Sequence, residues 1–163
     1  MTVGSLGLRD QVRLLVPLFA LIAAVWALRL VLDAAGAPHA IVRLSSVTVA
    51  GAVSVLLAVV LMHFRRLGRY SNVIVATILL VFWTQLLIVL AIAFAAVTGV
   101  QNVFAATEYS PPHGSGALPH IAGHLTFGLG FGVLVGSAMA CLTLWTLRRL
   151  VPVESEPGNL LSS

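Results

Sequence analysis

The sequence predicts an all-α, polytopic membrane protein built as a four-transmembrane-helix bundle. Of its 163 residues, 60% are hydrophobic and only 9% are charged, whereas soluble domains carry about 25% charged residues. The apolar residues also fall into four long runs, each close to the roughly 20 residues with which a helix crosses a bilayer. Both observations predict that lipid surrounds the chain, so the lipid bilayer is its first expected partner.

The first predicted helix covers about residues 14–35 and follows a short cytoplasmic segment, 1–13. Its uncharged stretch, 14–28, is too short to cross the roughly 30 Å core of a bilayer. The helix is therefore expected to continue past Arg29 and Asp33 before it ends.

The same stretch also resembles a secretory signal peptide, because arginines precede an apolar run that ends in small residues. Pro38 directly follows the candidate cleavage site and disfavours cutting. We therefore expect the first helix to remain as an uncleaved membrane anchor.

Three further helices are predicted at about residues 40–63, 73–98 and 120–147. An arginine-rich turn joins the second helix to the third, and a longer outer loop, 99–119, joins the third to the fourth. The prolines and glycines of that loop argue against regular structure. The transmembrane domain thus spans 14–150, and we expect the tail at 151–163 to be disordered and cytoplasmic.

The arginines predict the orientation of the bundle. With an even number of spans both termini share a side, and most arginines fall on it: Arg9, Arg13, Arg65, Arg66, Arg69, Arg148 and Arg149. Only Arg29 and Arg43 fall at the other end. Because basic loops stay in the cytoplasm, we predict that both termini are cytoplasmic, in a bacterial inner membrane. The same arginines account for the net charge of +4, so we expect no nucleic-acid partner.

The fourth helix carries a row of small residues at intervals of four. The row consists of Gly128, Gly132, Gly136 and Ala140. Such a pattern lets helix backbones approach closely, which supplies contact energy in lipid. We favour packing inside the chain's own bundle. The alternative is an interface with a second copy of the chain or with another membrane protein.

Polar residues collect at the predicted outer side, where they form an outer polar cluster. The cluster consists of Arg29, Asp33, Arg43 and Glu108. Arg29 and Asp33 are four residues apart, so they share one helix face, and we interpret them as a structural ion pair. The alternative interpretation is a ligand or proton site, since ionisable groups within a span often mark function.

Four of the five histidines belong to the same side: His39, His113, His120 and His124. His120 and His124 have a spacing that can chelate a divalent metal or supply an axial haem ligand. A metal would need further ligands, for which His39, His113, Asp33 and Glu108 are candidates. We expect no cofactor, with haem or a divalent metal as the alternative.

No motif for catalysis is present: the sequence lacks Gly-x-Ser-x-Gly, a phosphate-binding glycine loop and His-Glu-x-x-His. We therefore predict a small accessory or interaction protein without catalytic activity, with self-association through the glycine row as one mode of assembly. One alternative is a metal- or haem-binding redox protein. The other is a small-solute or proton conductor using Arg29, Asp33 and Gln85, although the simpler role of Gln85 is an interhelical hydrogen bond.

Overall fold

The computed structural model describes residues 7–67, 69–105 and 116–151. Within these ranges the chain is all-helical. Four stretches are long and apolar enough to cross a membrane: Leu8–Ala34, His39–Phe64, Tyr70–Thr98 and Ala117–Leu150. This confirms the predicted all-α class and its four candidate spans. The central part of the predicted outer loop, with Glu108 and His113, and nearly all of the predicted tail lie outside the described residues.

The described helices comprise six α-helices and one π-helical turn. In chain order they are α1 (Leu8–Ala34), α2 (His39–Leu44), α3 (Val47–Phe64), α4 (Tyr70–Thr98), α5 (Ala117–Gly123), the π-helical turn (His124–Gly128) and α6 (Leu129–Leu150). These helices form the four candidate spans, which are called spans below. The first span is α1, the second combines α2 and α3, and the third is α4. The fourth span combines α5, the π-helical turn and α6.

All four helices differ from the bounds that hydropathy predicts. The third begins three residues earlier than expected, and the fourth is three residues longer at each end. The first two differ in other ways. α1 begins at Leu8, before the apolar run, because its first turns are held by the rest of the bundle: Gln11 is buried and its amide donates to the carbonyl oxygen of Asn72. The second predicted helix is interrupted between Leu44 and Val47, where Ser46 caps α3 by accepting a hydrogen bond from the backbone N–H of Val49 at 3.4 Å.

The second and third spans lie at the centre of the bundle, since α3 and α4 pack against each other and each also packs against α1 and α6. The third span has a well-buried core. Its residues Leu80 and Ile92 are almost fully buried. Trp83 joins α4 to α1: its indole N–H donates to the carbonyl oxygen of Phe19 at 3.1 Å, and the two rings meet edge-on with centroids 5.8 Å apart. Close packing and interhelical hydrogen bonds of this kind hold helices together in lipid.

The small residues of the fourth span pack against α4 of the same chain. A Cβ atom at Gly132 would lie 2.8 Å from Cγ1 of Val81, and one at Gly136 would lie 2.9 Å from Cγ2 of Thr77. Ala140, the last member of the row, is completely buried. The row therefore contacts α4 inside the bundle, at Val81 and Thr77.

The two ends of the bundle differ in their side chains. We call the end that carries Arg29, His120 and His124 the histidine end. The opposite end, which carries Arg65 and Arg148, is the arginine end.

At the arginine end, ring and hydrogen-bond contacts join neighbouring helices. The guanidinium of Arg148 lies over the Tyr70 ring, 4.8 Å from its centroid. Nε2 of His63 lies 2.8 Å from the carbonyl oxygen of Val151. These contacts connect the last residues of the fourth span to the start of α4 and the end of α3.

Candidate ligand site

A polar cavity of about 300 Å³ lies at the histidine end. Its volume is at the lower end of the range of small-molecule sites, about 300–1,000 Å³. The described polar side chains that line it are Arg29, Arg43, Ser46, Thr48, His120 and His124. The cavity thus gathers residues from the first, second and fourth spans, which are far apart in the sequence. Two members of the predicted outer polar cluster and two of the predicted histidines meet here.

Arg29 enters the cavity from the last turns of α1. Its guanidinium lies over the ring of Phe104, 5.0 Å from the centroid. Its Nε is buried and has no hydrogen-bond partner among the described residues. A charged side chain within a span is costly unless it is paired, and a cation–π contact supplies only part of that compensation. The buried N–H therefore lacks an acceptor.

Arg29 and Asp33 have separate partners, although helix spacing predicts that they pair with each other. Oδ2 of Asp33 accepts a hydrogen bond from the backbone N–H of Val103 at 2.8 Å. The segment that follows α4 crosses the end of α1, offering a backbone donor to the carboxylate and the Phe104 ring to the guanidinium. Asp33 also lines a different groove, between α1 and α4, which Arg29 does not line.

The two histidines of the fourth span lie side by side. The ring centroids of His120 and His124 are 5.1 Å apart and their planes are inclined by 32°. His120 is buried, with 6% of its surface exposed. The pair that the sequence spacing predicts is therefore present as neighbouring rings.

Gln85 holds the ring of His124. Oε1 of Gln85 lies 2.9 Å from Nδ1 of His124, so the predicted interhelical hydrogen bond of Gln85 is confirmed. With the amide oxygen as acceptor, Nδ1 carries the proton, and a neutral ring then keeps Nε2 as an acceptor. Gln85 also packs on Gly128, where an added Cβ would lie 3.1 Å from its amide. The first glycine of the row thus makes room for the side chain that orients His124.

The π-helical turn begins at His124 and separates the histidine pair from most of the glycine row. π-helical turns are rare and occur frequently at functional sites. Because the turn is wider than an α-helical one, the direction of His124 relative to Gly132 and Gly136 departs from the angle that regular helical spacing predicts.

The described residues do not assemble a metal centre. Among them, no group of three or more His, Cys, Asp or Glu side chains is placed to hold one ion. His39 is exposed at the start of α2, and it is not among the described residues that line the cavity. His113 and Glu108 lie outside the described residues. Among the described residues, the predicted metal or haem site is represented by His120 and His124.

Comparison of the chain with protein-family models, curated proteins and solved structures finds no match in any of the three. Fold and site together define a class in structural terms: a helical bundle with four candidate membrane spans and an arginine- and histidine-lined cavity at one end of its described residues.

Proposed function

We propose that this chain is a small, non-catalytic accessory protein of the bacterial inner membrane that binds an anionic ligand at the histidine end of its bundle. The observation that carries the proposal is the cavity that Arg29 and Arg43 line, together with the Nε of Arg29, which is buried and has no acceptor among the described residues. Hydrogen bonds from arginine to a carboxylate or a phosphate are among the strongest in proteins. An anion in the cavity would supply the acceptor that Arg29 lacks.

The neighbouring side chains narrow the class of ligand. Arg43 and Ser46 bring a second cation and a hydroxyl to the same cavity, while Nε2 of a neutral His124 accepts hydrogen bonds. A ligand that combines a phosphate with a hydroxyl group matches both kinds of partner. Arginine is particularly suited to phosphate, because its planar guanidinium presents several donors in a fixed geometry.

The other two functions that the sequence leaves open have less support. A metal site has two histidines and no third ligand among the described residues. A conductor would use Arg29, Asp33 and Gln85 together, but Arg29 and Asp33 line separate cavities.

The bias of the arginines supports an orientation with both termini in the cytoplasm and the histidine end outside. Labelling of introduced cysteines checks it. In a Cys141→Ser background, His39→Cys and Arg65→Cys each place a thiol at an exposed position, at opposite ends of the second span. A membrane-impermeant maleimide added to intact cells is expected to label position 39 and not position 65. Labelling of position 65 and not of position 39 would contradict this orientation and show that the termini lie outside.

Binding of sn-glycerol 3-phosphate tests the function itself. The purified full-length chain in a neutral detergent is titrated with this compound, and the ring signals of His120 and His124 are followed by NMR. We expect a saturable shift of the His124 signals, because the phosphate and the hydroxyls enter the cavity that this ring lines. Glycerol, which lacks the charge, is expected to leave the signals unchanged. Equal responses to the two compounds, or no saturable response to either, would contradict the proposal.

A further inference from the structure

An apolar groove adjoins the polar cavity. The groove has a volume of about 220 Å³ and lies between α3, α4 and α6. Two polar side chains in its wall already have partners: the hydroxyl of Thr84 donates to the carbonyl oxygen of Leu80 at 2.8 Å, and the amide of Gln85 contacts His124. The groove therefore presents mainly hydrocarbon to whatever occupies it.

The groove continues the cavity toward the middle of the bundle. Thr48, in the first turn of α3, lines both spaces, whereas Leu56, further along the same helix, lines only the groove. On α4, which runs in the opposite direction, Ile88 lines the cavity and Val81 lines the groove. Both helices thus place the polar space nearer the histidine end and the apolar space nearer the centre.

The fourth span repeats this order. His124 lines the cavity, and Gly132 and Gly136 line the groove further along the span. From Thr48 to Leu56 a helix rises about 12 Å. One leaflet of a bilayer core is about 15 Å thick, half of the whole core. The groove is therefore long enough to follow a lipid chain through most of one leaflet.

The groove is also open at the side of the bundle. Phe131 and Met139, which line it, expose 56% and 51% of their surfaces, and Ala52 on the opposite wall is exposed as well. Exposed apolar side chains of this kind face lipid in a membrane-spanning bundle. A hydrocarbon chain can therefore enter from the bilayer without passing through water.

We propose that the anionic ligand is a phospholipid of the surrounding bilayer, with its headgroup in the polar cavity and one acyl chain in the apolar groove. This inference rests on the proposed function, since it identifies the source of the anion. Charge complementarity selects the headgroup, because Arg29 and Arg43 line the polar space. The polar-to-apolar order matches a lipid whose headgroup lies at the membrane surface and whose tail points to the membrane centre.

Native mass spectrometry of the full-length chain tests the inference. The protein is equilibrated in a neutral detergent with equal amounts of phosphatidylglycerol and phosphatidylcholine that carry the same acyl chains. We expect the protein to retain about tenfold more phosphatidylglycerol, because hydrogen bonds between arginine and phosphate strengthen where the headgroup adds no cation of its own. The binding of sn-glycerol 3-phosphate is measured in parallel by NMR.

A pair of variants on α3 tests how much the acyl chain contributes to the binding of phosphatidylglycerol. Ala52→Phe places a ring in the groove, whereas Val53→Phe places the same ring at the next lipid-exposed position, which does not line the groove. We expect Ala52→Phe to lower the retention of phosphatidylglycerol about tenfold through lost contact with its chain. Val53→Phe is expected to match the wild-type protein, and both variants are expected to bind sn-glycerol 3-phosphate normally.

The outcomes separate the inference from the proposed function. If sn-glycerol 3-phosphate binds but phosphatidylglycerol is retained no better than phosphatidylcholine, or if Ala52→Phe retains it like Val53→Phe, the ligand is a soluble anion. The inference is then overturned and the proposed function stands. If neither sn-glycerol 3-phosphate nor phosphatidylglycerol binds selectively, both are overturned.

Discussion

Glutamine in place of Arg29 is expected to weaken the binding of sn-glycerol 3-phosphate by about ten- to a hundredfold. Hydrogen bonds that involve a charged group contribute about 1.5–3 kcal/mol, and each 1.4 kcal/mol changes a dissociation constant about tenfold. Glutamine retains a polar side chain but loses the positive charge and the buried Nε donor. The NMR titration of the wild-type and Arg29→Gln proteins measures the difference.

The stability of the ligand-free protein separates a binding role of Arg29 from a structural one. The Nε of Arg29 has no hydrogen-bond partner among the described residues, so glutamine should leave the ligand-free protein at least as stable in a thermal unfolding measurement in detergent. Arg13→Gln, at an exposed position of the same helix, is the control and should alter neither binding nor stability. If the Arg29→Gln protein bound sn-glycerol 3-phosphate as tightly as the wild type, Arg29 would not be part of the binding site.

Leucine at Gly132 is expected to lower the free energy of unfolding by about 1–3 kcal/mol, the usual cost of forcing extra methylene groups into a packed interior. The first atom added at this position would already lie 2.8 Å from Cγ1 of Val81. Because Val81 is β-branched and restricted in its rotamers, the helices must move apart. Thermal or detergent-induced unfolding of the purified protein measures the change.

Gly130 supplies the matched control for this prediction. It lies on the same helix, it is exposed, and an added Cβ there would meet nothing within 4 Å. Leucine at Gly130 should therefore change the free energy of unfolding little. It also replaces a glycine, which is poorly suited to helices. If Gly130→Leu destabilised the protein as much as Gly132→Leu, close contact between α6 and α4 would not be the role of the row.

The sequence is a good guide to the spans and to the helix that carries the packing row. Lipid requires each spanning segment to be apolar over its whole length, so four long apolar runs predict four spans without knowledge of their contacts. The spacing of Gly128, Gly132 and Gly136 likewise predicts a closely packed helix face. It does not predict which helix covers that face, because the residues that meet the glycines lie on α4, far away in the sequence.

Helix bounds and contacts that depend on distant residues were not predictable in the same way. α1 starts at Leu8 because Gln11 donates to the carbonyl oxygen of Asn72, which hydropathy does not register. The break before α3 did carry a local signal, since Ser46 precedes an apolar run in the manner of an N-cap. Hydropathy alone overlooks that signal because serine is tolerated within an apolar helix.

The sequence predicts which residues belong to the candidate site, but it does not predict all of the contacts that they make. Spacing brings His120 and His124 together on the fourth span, as their ring contact shows. For Arg29, helix spacing favours Asp33, whereas the structure brings Phe104 to the guanidinium from the segment after α4. No sequence pattern indicates that this segment crosses the end of α1. Only the structure therefore shows that the Nε of Arg29 has no acceptor among the described residues.

An experimental structure of the full-length chain, purified with its native lipids, tests the central claim most directly. The account predicts an acidic group in the cavity of the histidine end, with an oxygen about 2.7–2.9 Å from Nε of Arg29, as in other charge-assisted hydrogen bonds. A cavity that holds only water, or an Nε that donates to an acceptor of the protein itself, would contradict it.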